Sequence, residues 1–283
     1  MDTRSRTITV VRSRAELHAA LAALPRPLGL VPTMGWLHAG HVSLIERARA
    51  ECASVAISIF VNPRQFNRPA DLAAYPRNEA RDIATAAGAG ADLAWAPSVD
   101  DVYPDGFETS VAVGSLAQPL EGAARPGHFD GVTTVVAVLF GLVRPERAYF
   151  GDKDAQQVRI VERMARDLGL TQVVRCPTVR EPDGLALSSR NVRLSPSERR
   201  AAGVLSRALF AGRHAWAAGE RSAEAIRVAV RGVLASEPAV AVDYVSLADD
   251  GTLAELQVVE RPALLSLAAT VGSVRLIDNV HLG

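Results

Sequence analysis

The sequence predicts an α/β chain: a Rossmann-like parallel sheet forming an N-terminal domain, then a smaller α+β C-terminal lid domain. Three observations predict it. Short β-rich runs alternate with helical ones through the first two thirds of the chain, the texture changes after about residue 178, and helices followed by mostly adjacent strands fill the remainder. The expected domains are therefore 1–178 and 179–283, the second closing over a site in the first.

The elements follow in order. "TITVV" (7–11) reads as a strand, and the next run has Ser13 as N-cap with apolar residues at helical spacing. "LGLVP" is a strand, 40–53 a helix and "SVAISIFV" (54–61) a buried strand. "EARDIATAAGAG" predicts a helix before the short strand "DLAWAP". Residues 131–143 exceed the usual strand length and so predict a helix. "RAYFG" (147–151), "AQQVRIVERMARDLG" and "TQVVRCP" repeat the strand–helix–strand order. Past the boundary near "PTVREPDG", Ser195, Pro196 and Glu198 make a capping-box signature heading "SPSERRAAGVLSRALFAGRHAWAAGE". A second helix, "SAEAIRVAVRGVLAS", precedes the strand-like runs "VDYVSLA", "ALLSLAATV" and "SVRLIDNV".

Composition narrows the classes of function. A chain of 283 residues, 48% hydrophobic and with zero formal net charge, is not built as a general polyanion binder, so no nucleic-acid partner is expected. Cys52 and Cys176 stand far apart with no CxxC spacing, which argues against a disulfide framework and for a reducing cytosol. The N-terminus lacks the apolar stretch of a signal peptide, and charged residues, Gly or Pro interrupt every apolar run. A cytoplasmic protein with no membrane partner is the expectation.

Four segments carry chemistry. In "VPTMGWLHAGH" (31–41) a strand hands over to a helix, where backbone amides and the helix dipole favour an anion. Gly35 and Gly40 would admit a phosphate, and His38 and His41 would add donors; a tight turn with two incidental histidines fits equally well. Zinc needs a third ligand, and His18, His128, His214 and His281 show no matching spacing. In "FVNPRQF" (60–66), also good turn chemistry, Asn62 and Gln65 stand at a strand end and suit hydroxyls and carboxylates. "YFGDKDAQQ" (149–157) offers Gly151 for close approach and Lys153 as a compact cation for phosphate. Asp152 and Asp154 suit a ribose, a lysine, Mg²⁺ or a helix cap, and Gln156 or Gln157 would face the ligand. "VREPDGLALSSRN" (179–191) is either a polar linker or a flexible anion clamp built from two hydroxyls and Arg190. A Walker A loop is absent, and "GAGAD" (88–92) follows a helix where a dinucleotide fingerprint needs a strand.

Together with "YPR" (75–77) and "RPGHFDGVTTVV" (125–136), these segments resemble the pantothenate synthetase family, the pantoate–β-alanine ligases, in order and spacing over most of the chain. "HAGH" and "LSSR" alone are less specific. They resemble the paired signature motifs shared by class I aminoacyl-tRNA synthetases and nucleotidylyltransferases. The resemblance implies ATP-dependent joining of pantoate to β-alanine through a pantoyl adenylate, with release of pyrophosphate and AMP, on the way to coenzyme A. It also implies Mg²⁺ and a homodimer.

Residue by residue, the resemblance implies that His41, with His38, stabilises or protonates the phosphates, and that Lys153, Ser188, Ser189 and Arg190 clamp them. ATP would be lined by Pro32, Thr33, Met34, Gly35, Trp36, Leu37, Ala39 and Gly40, by Gly151, Asp152 and Asp154, and by Val179 and Leu187. Gln65, Gln157 and Asn62 would bind substrate, and Asp82 would touch the metal. Trp36, Arg64, Asp152 and Leu187 depart from the commonest family pattern, and bear on affinity more than on reaction type. The competing readings are a nucleotidylyltransferase that moves AMP onto a phosphate, and a non-catalytic nucleotide-binding protein.

Overall fold

Short apolar runs that need cover on both faces become one parallel sheet. The computed structural model describes residues 7–283; the first six residues, part of the stretch read for a signal peptide, lie outside the described residues. Strands β1 (Thr9–Val11), β2 (Leu28–Thr33), β3 (Ser54–Ile59), β4 (Leu93–Trp95), β5 (Arg147–Gly151) and β6 (Gln172–Cys176) pair in the order β1-β4-β3-β2-β5-β6, parallel throughout. Between them run α1 (Arg14–Ala22), α2 (Ala39–Glu51), α3 (Pro69–Ala73), α4 (Glu79–Ala89), α5 (Val99–Val102), α6 (Glu121–Ala124), α7 (His128–Val143) and α8 (Ala155–Asp167).

The apolar character of β2 and β3 is explained by helices on both faces. Leu28 and Leu30 of β2 join Val132, Leu139 and Phe140 of α7 and Val158 and Val161 of α8 in one cluster. Val31 points the other way, into a cluster with Ile57 of β3, Leu44, Ile45 and Ala48 of α2, and Ala86 of α4. The long run at 131–143 is the body of α7, which is buried along most of its length. The α/β expectation holds.

After β6 the chain changes architecture. Helices α9 (Pro196–Ala202), α10 (Val204–Ala217) and α11 (Ala223–Leu234) precede an antiparallel sheet of β7 (Val240–Asp249), β8 (Ala263–Val271) and β9 (Val274–Leu282). Ser195 and Glu198 cap α9 reciprocally, as their spacing predicts. The run read as one helix from Ser195 is two helices. Gly203 divides them, its N–H turning to the Arg200 carbonyl at 3.3 Å, and glycine holds a helix together poorly. Leu205 and Leu209 of α10 and Ile226 and Val230 of α11 cover Leu265 and Leu267 of β8.

The described chain falls into two compact units. The first comprises the chain up to Ala117, then Glu121–Asp152 and Gln157–Pro177; the second comprises Gln118–Leu120, Lys153–Gln156 and Thr178–Gly283. The two short segments of the second unit touch each other, for Gln156 Nε2 donates to the Pro119 carbonyl at 2.8 Å. Lys153 and Asp154 thus go with the second unit, while Gly151, Asp152 and Gln157 stay with the first.

Candidate active site

The strand order places one feature of the first unit above the rest. From β2 the chain builds outward through β3 and β4, and β1 joins at that edge; it then returns to add β5 and β6 on the other side. The carboxyl ends of β2 and β5 therefore flank the topological switch point, where open α/β sheets bind ligands. Two of the four segments are the loops leaving these strands, and a third leaves the neighbouring β3.

The turn after β2 is assembled from its own backbone. Pro32 lies within β2 opposite Ser58, Thr33 Oγ1 donates to the Ser58 carbonyl at 2.7 Å, and Gly35 N–H donates to Thr33 Oγ1 at 3.2 Å. Asp82, at the start of α4 and fully buried, accepts the N–H of Trp36 and of Leu37 on its two oxygens, both at 2.7 Å. Gly35 has φ +83°, and a Cβ there would stand 2.9 Å from Asp82 Oδ2. Its lack of a side chain makes room for that carboxylate rather than for a phosphate. Trp36 also takes a positive φ, 51°, while Arg81 lies 4.9 Å from its ring centre and donates to the Leu37 carbonyl at 3.0 Å. Leu37 has its side chain in the core and both backbone groups bonded, so it belongs to the scaffold.

His38 is the N-cap of α2 and His41 its third residue, with Ala39 opening the helix. His38 Nδ1 accepts from Gly40 N–H at 3.1 Å, and His41 Nδ1 accepts from His38 N–H at 3.3 Å. A ring nitrogen that accepts an amide carries no proton, so each neutral imidazole has its hydrogen on Nε2. The rings lie 4.1 Å apart, centre to centre. The amides of His41 and Val42 bond to the His38 carbonyl, so the helix start is largely satisfied by itself. Its chemistry is a pair of Nε2–H donors more than the bare amides the sequence suggested.

Next to this turn stands Gln65. Asn62 caps the short turn Pro63–Gln65, its Oδ1 accepting from Arg64 N–H at 3.2 Å and from the Tyr103 hydroxyl at 2.8 Å. Its Nδ2 donates to the Gly131 carbonyl and to Gln65 Oε1, each at 3.0 Å. That uses all four positions of the Asn62 amide. Asn62 orients Gln65 where the sequence had it binding substrate. Gln65 then has Nε2 as its outward group, 3.1 Å from the weak acceptor Met34 Sδ. Its backbone carbonyl is gripped by Arg125 at 3.0 Å and His128 at 2.8 Å. Gly131 must be glycine because a Cβ would lie 2.3 Å from the Arg64 carbonyl. The Arg64 charge is directed onto the rings of Tyr103 and Phe107, at 4.3 and 4.7 Å. Burial pushes the Tyr103 hydroxyl up to about 12, so it remains a donor.

Beyond Gly151, which ends β5, the Asp152 carboxylate lies 3.5 Å from the Arg159 guanidinium. Gln157 is half-buried on α8. In the second unit, Lys153 Nζ is 3.7 Å from Asp154 Oδ1. Residues 179–187 double back as a hairpin: Arg180 bridges Ala186, Leu187 N–H meets the Val179 carbonyl at 3.0 Å, and Gly184 turns with φ +91°. The hairpin ends in Ser188, whose Oγ accepts from Arg190 N–H at 3.2 Å, and in buried Ser189. Arg180 grips Asp278 of β9 with both terminal nitrogens, at 2.7 and 2.9 Å.

Sequence reasoning missed the contacts of Tyr103 and Asp278, and it gave Asp82 another task. With both oxygens on backbone amides, Asp82 holds the turn and is not placed as a magnesium ligand. Among the described residues, no three His, Cys, Asp or Glu side chains gather as a metal cage. The "RPGHFDGV" stretch did carry a signal, since Arg125, His128 and Gly131 all serve Gln65.

Comparison with known proteins gives the family. A family model described as pantoate-beta-alanine ligase matches residues 7–281. A pantothenate synthetase of Roseiflexus sp. (strain RS-1) is 56% identical over 274 residues, covering 96% of this chain and 99% of that one. The crystal structure of pantothenate synthetase from Thermus thermophilus superposes with a TM-score of 0.93 at 50% identity, covering 96% and 99% of the two chains. The ligase from Francisella tularensis, solved with beta-gamma ATP and beta-alanine, gives 0.81 at 33% identity, covering 97% of each chain. With a family model spanning nearly its whole length and relatives this similar, the chain belongs to the pantoate–β-alanine ligase family.

Proposed function

We propose that this protein joins pantoate to β-alanine in two steps, with ATP as co-substrate, and so makes pantothenate. The observation that carries the reading is the reciprocal histidine cap at the switch point, which leaves each imidazole its hydrogen on Nε2, with Gln65 Nε2 reaching the same turn at Met34. Family membership supports the substrates.

In the first step a pantoate carboxylate oxygen bonds to the α-phosphorus of ATP, the α–β phosphoanhydride breaks, and pyrophosphate leaves with the electron pair. The substrate is its own nucleophile, so the protein need only position it and meet the growing charge. His38 and His41 donate to the phosphates, with His41 aiding the leaving pyrophosphate. Lys153, Ser188, Ser189 and Arg190 serve the same triphosphate. Gln65 and Gln157 hold pantoate; because Asn62 occupies Gln65 Oε1, Gln65 meets an accepting oxygen of the substrate. The Val179 carbonyl already accepts Leu187 N–H, so its own N–H is the donor for adenine. In the second step the β-alanine amine attacks the acyl carbon, loses a proton, and AMP departs with the C–O electron pair.

A divalent cation on the phosphates would supply charge neutralisation. The described residues form no cage for one, so it is proposed only as Mg²⁺ carried by ATP. No helix among the described residues is long and apolar enough to cross a membrane. A cytoplasmic location, drawn from the composition, and a homodimer, drawn from the family resemblance, are the accompanying proposals.

The test is pyrophosphate release from ATP, Mg²⁺ and D-pantoate, with and without β-alanine. A single-turnover burst that becomes continuous with β-alanine is expected. His41→Ala should slow the burst by about a hundredfold. A burst with a mononucleotide in place of pantoate, or none with any acid, would overturn the reading.

A further inference from the structure

The last strand of the second unit carries two adjacent polar residues that the proposed reaction does not use. Asp278 and Asn279 are almost fully buried in β9, in the run "LIDNV". Successive strand residues point to opposite faces, so the pair sends one side chain each way. The Asp278 carboxylate receives both terminal nitrogens of Arg180, whose Nη1 also donates to the Gly184 carbonyl at 3.0 Å. Arg180 Nη2 reaches the Asn279 carbonyl as well, at 2.9 Å. On the other side, Asn279 Nδ2 donates to the Lys153 backbone carbonyl at 2.9 Å.

We propose that Asp278 and Asn279 are positioning residues for the phosphate clamp, Asn279 setting Lys153 through its carbonyl and Asp278 setting the 179–187 hairpin, and with it the serines that follow, through Arg180. The inference rests on the reading of Lys153 and Ser188–Arg190 as phosphate-binding groups. The two segments are far apart in sequence, and neither is a regular element that would place itself. Lys153 lies in a single 3-10 turn, and Ser188, Ser189 and Arg190 follow the hairpin as an irregular run. A lysine four methylenes long delivers its ammonium where its backbone directs it, and a displacement of about 1 Å is enough to weaken a phosphate contact severely. Two neighbouring residues of one buried strand register both segments against the same sheet. Asn279 faces Ser266 across the β8–β9 ladder, so its place is tied to the centre of the sheet.

A double-mutant cycle on the full chain tests the idea, reading Mg·ATP affinity by calorimetry, single-turnover pyrophosphate release and the KM for pantoate. Asn279→Ala should weaken ATP binding about tenfold, the worth of one lost hydrogen bond, and leave the pantoate KM unchanged. In a Lys153→Ala background the same substitution should have little further effect, because residues acting through one another are not additive. Asn279→Ser, whose hydroxyl is too short to reach the carbonyl, should reproduce Asn279→Ala and replaces it in the cycle if the alanine protein does not fold. An Asn279 effect that persists in full without the lysine side chain would show that Asn279 acts by another route and overturn the proposal. So would unchanged ATP affinity in Asn279→Ala when Lys153→Ala is impaired. If Lys153→Ala itself binds ATP and releases pyrophosphate normally, the assignment of Lys153 fails first and this inference fails with it.

Discussion

The turn at 33–41 carries groups proposed to bind phosphate and the hairpin at 179–187 leads into others, and the two are held by opposite devices. The turn is held by an acceptor. One carboxylate, Asp82, receives neutral backbone amides of a segment with two consecutive positive φ angles. The hairpin is held by charges: its own Arg180 reaches a carboxylate and two carbonyls, and its Glu181 and Asp183 take the Arg199 guanidinium. Losing the first anchor leaves dipoles unsatisfied, whereas losing the second leaves a charge. The difference teaches that the hairpin is held by paired charges, Arg180 with Asp278 and Arg199 with Glu181 and Asp183, and that the turn has its loss spread over neutral bonds.

Asp278→Ala should therefore be the most damaging change, costing about 3 kcal/mol because it leaves the partly buried Arg180 cation without its carboxylate. Urea unfolding measures it, and a loss below about 1 kcal/mol would mean that the pair behaves as an exposed one. Asp82→Ala should cost about 2 kcal/mol, since two amides lose their acceptor. Its adenylation rate should fall by more than its stability explains, and Asp82→Asn, which keeps one acceptor oxygen, should fall between. If Asp82→Ala proved as costly as Asp278→Ala, the distinction between dipole and charge would not hold.

Tyr103→Phe is a finer probe of the first unit. It keeps the ring beneath Arg64 and removes only the hydroxyl that fixes Asn62. About 1 kcal/mol of stability should be lost, the pantoate KM should rise severalfold, and ATP affinity should not move. Equal changes for both substrates would detach Tyr103 from Gln65.

The smallest effect extends the comparison to a half-buried copy of the Asp82 device in the second unit. Asp249 accepts from the Thr252 hydroxyl at 2.7 Å and from the N–H of Gly251 and Thr252. The Thr252 hydroxyl foremost, with those amides and Arg261, holds its carboxyl below the ordinary 3.8. A folded-state value lower than the unfolded one adds stability above the unfolded value and loses it as pH falls through the folded one. Thr252→Val should therefore be less stable than the parent at pH 6, and the gap should narrow as the pH drops below about 4. A gap that is constant with pH would assign the loss to packing instead.

Much of this molecule was legible because periodicity and caps are local. Ser13 with Glu16 and Ser195 with Glu198 form their capping boxes, and the alternation of runs gave the parallel sheet. The histidine pair was legible too, but its tautomers were not: they depend on which ring nitrogen meets which amide. Asn62 looked like a ligand until its neighbours were placed, and Gly35 looked like a phosphate seat until Asp82 stood beside it.

What the sequence by itself determined is the order of elements, the positions of the loops at strand ends, and the inventory of donors near them. These follow from backbone propensity and hydrophobic period, which act over a few residues. Only the tertiary structure decided which polar groups remain available for a ligand and which are used up in holding others. Tyr103 on Asn62, Asp82 on Trp36, and Asn279 on Lys153 join residues 41, 46 and 126 positions apart. A buried amide or carboxylate takes whatever partner the packed fold brings within about 3 Å, and no local rule of sequence states which one that will be.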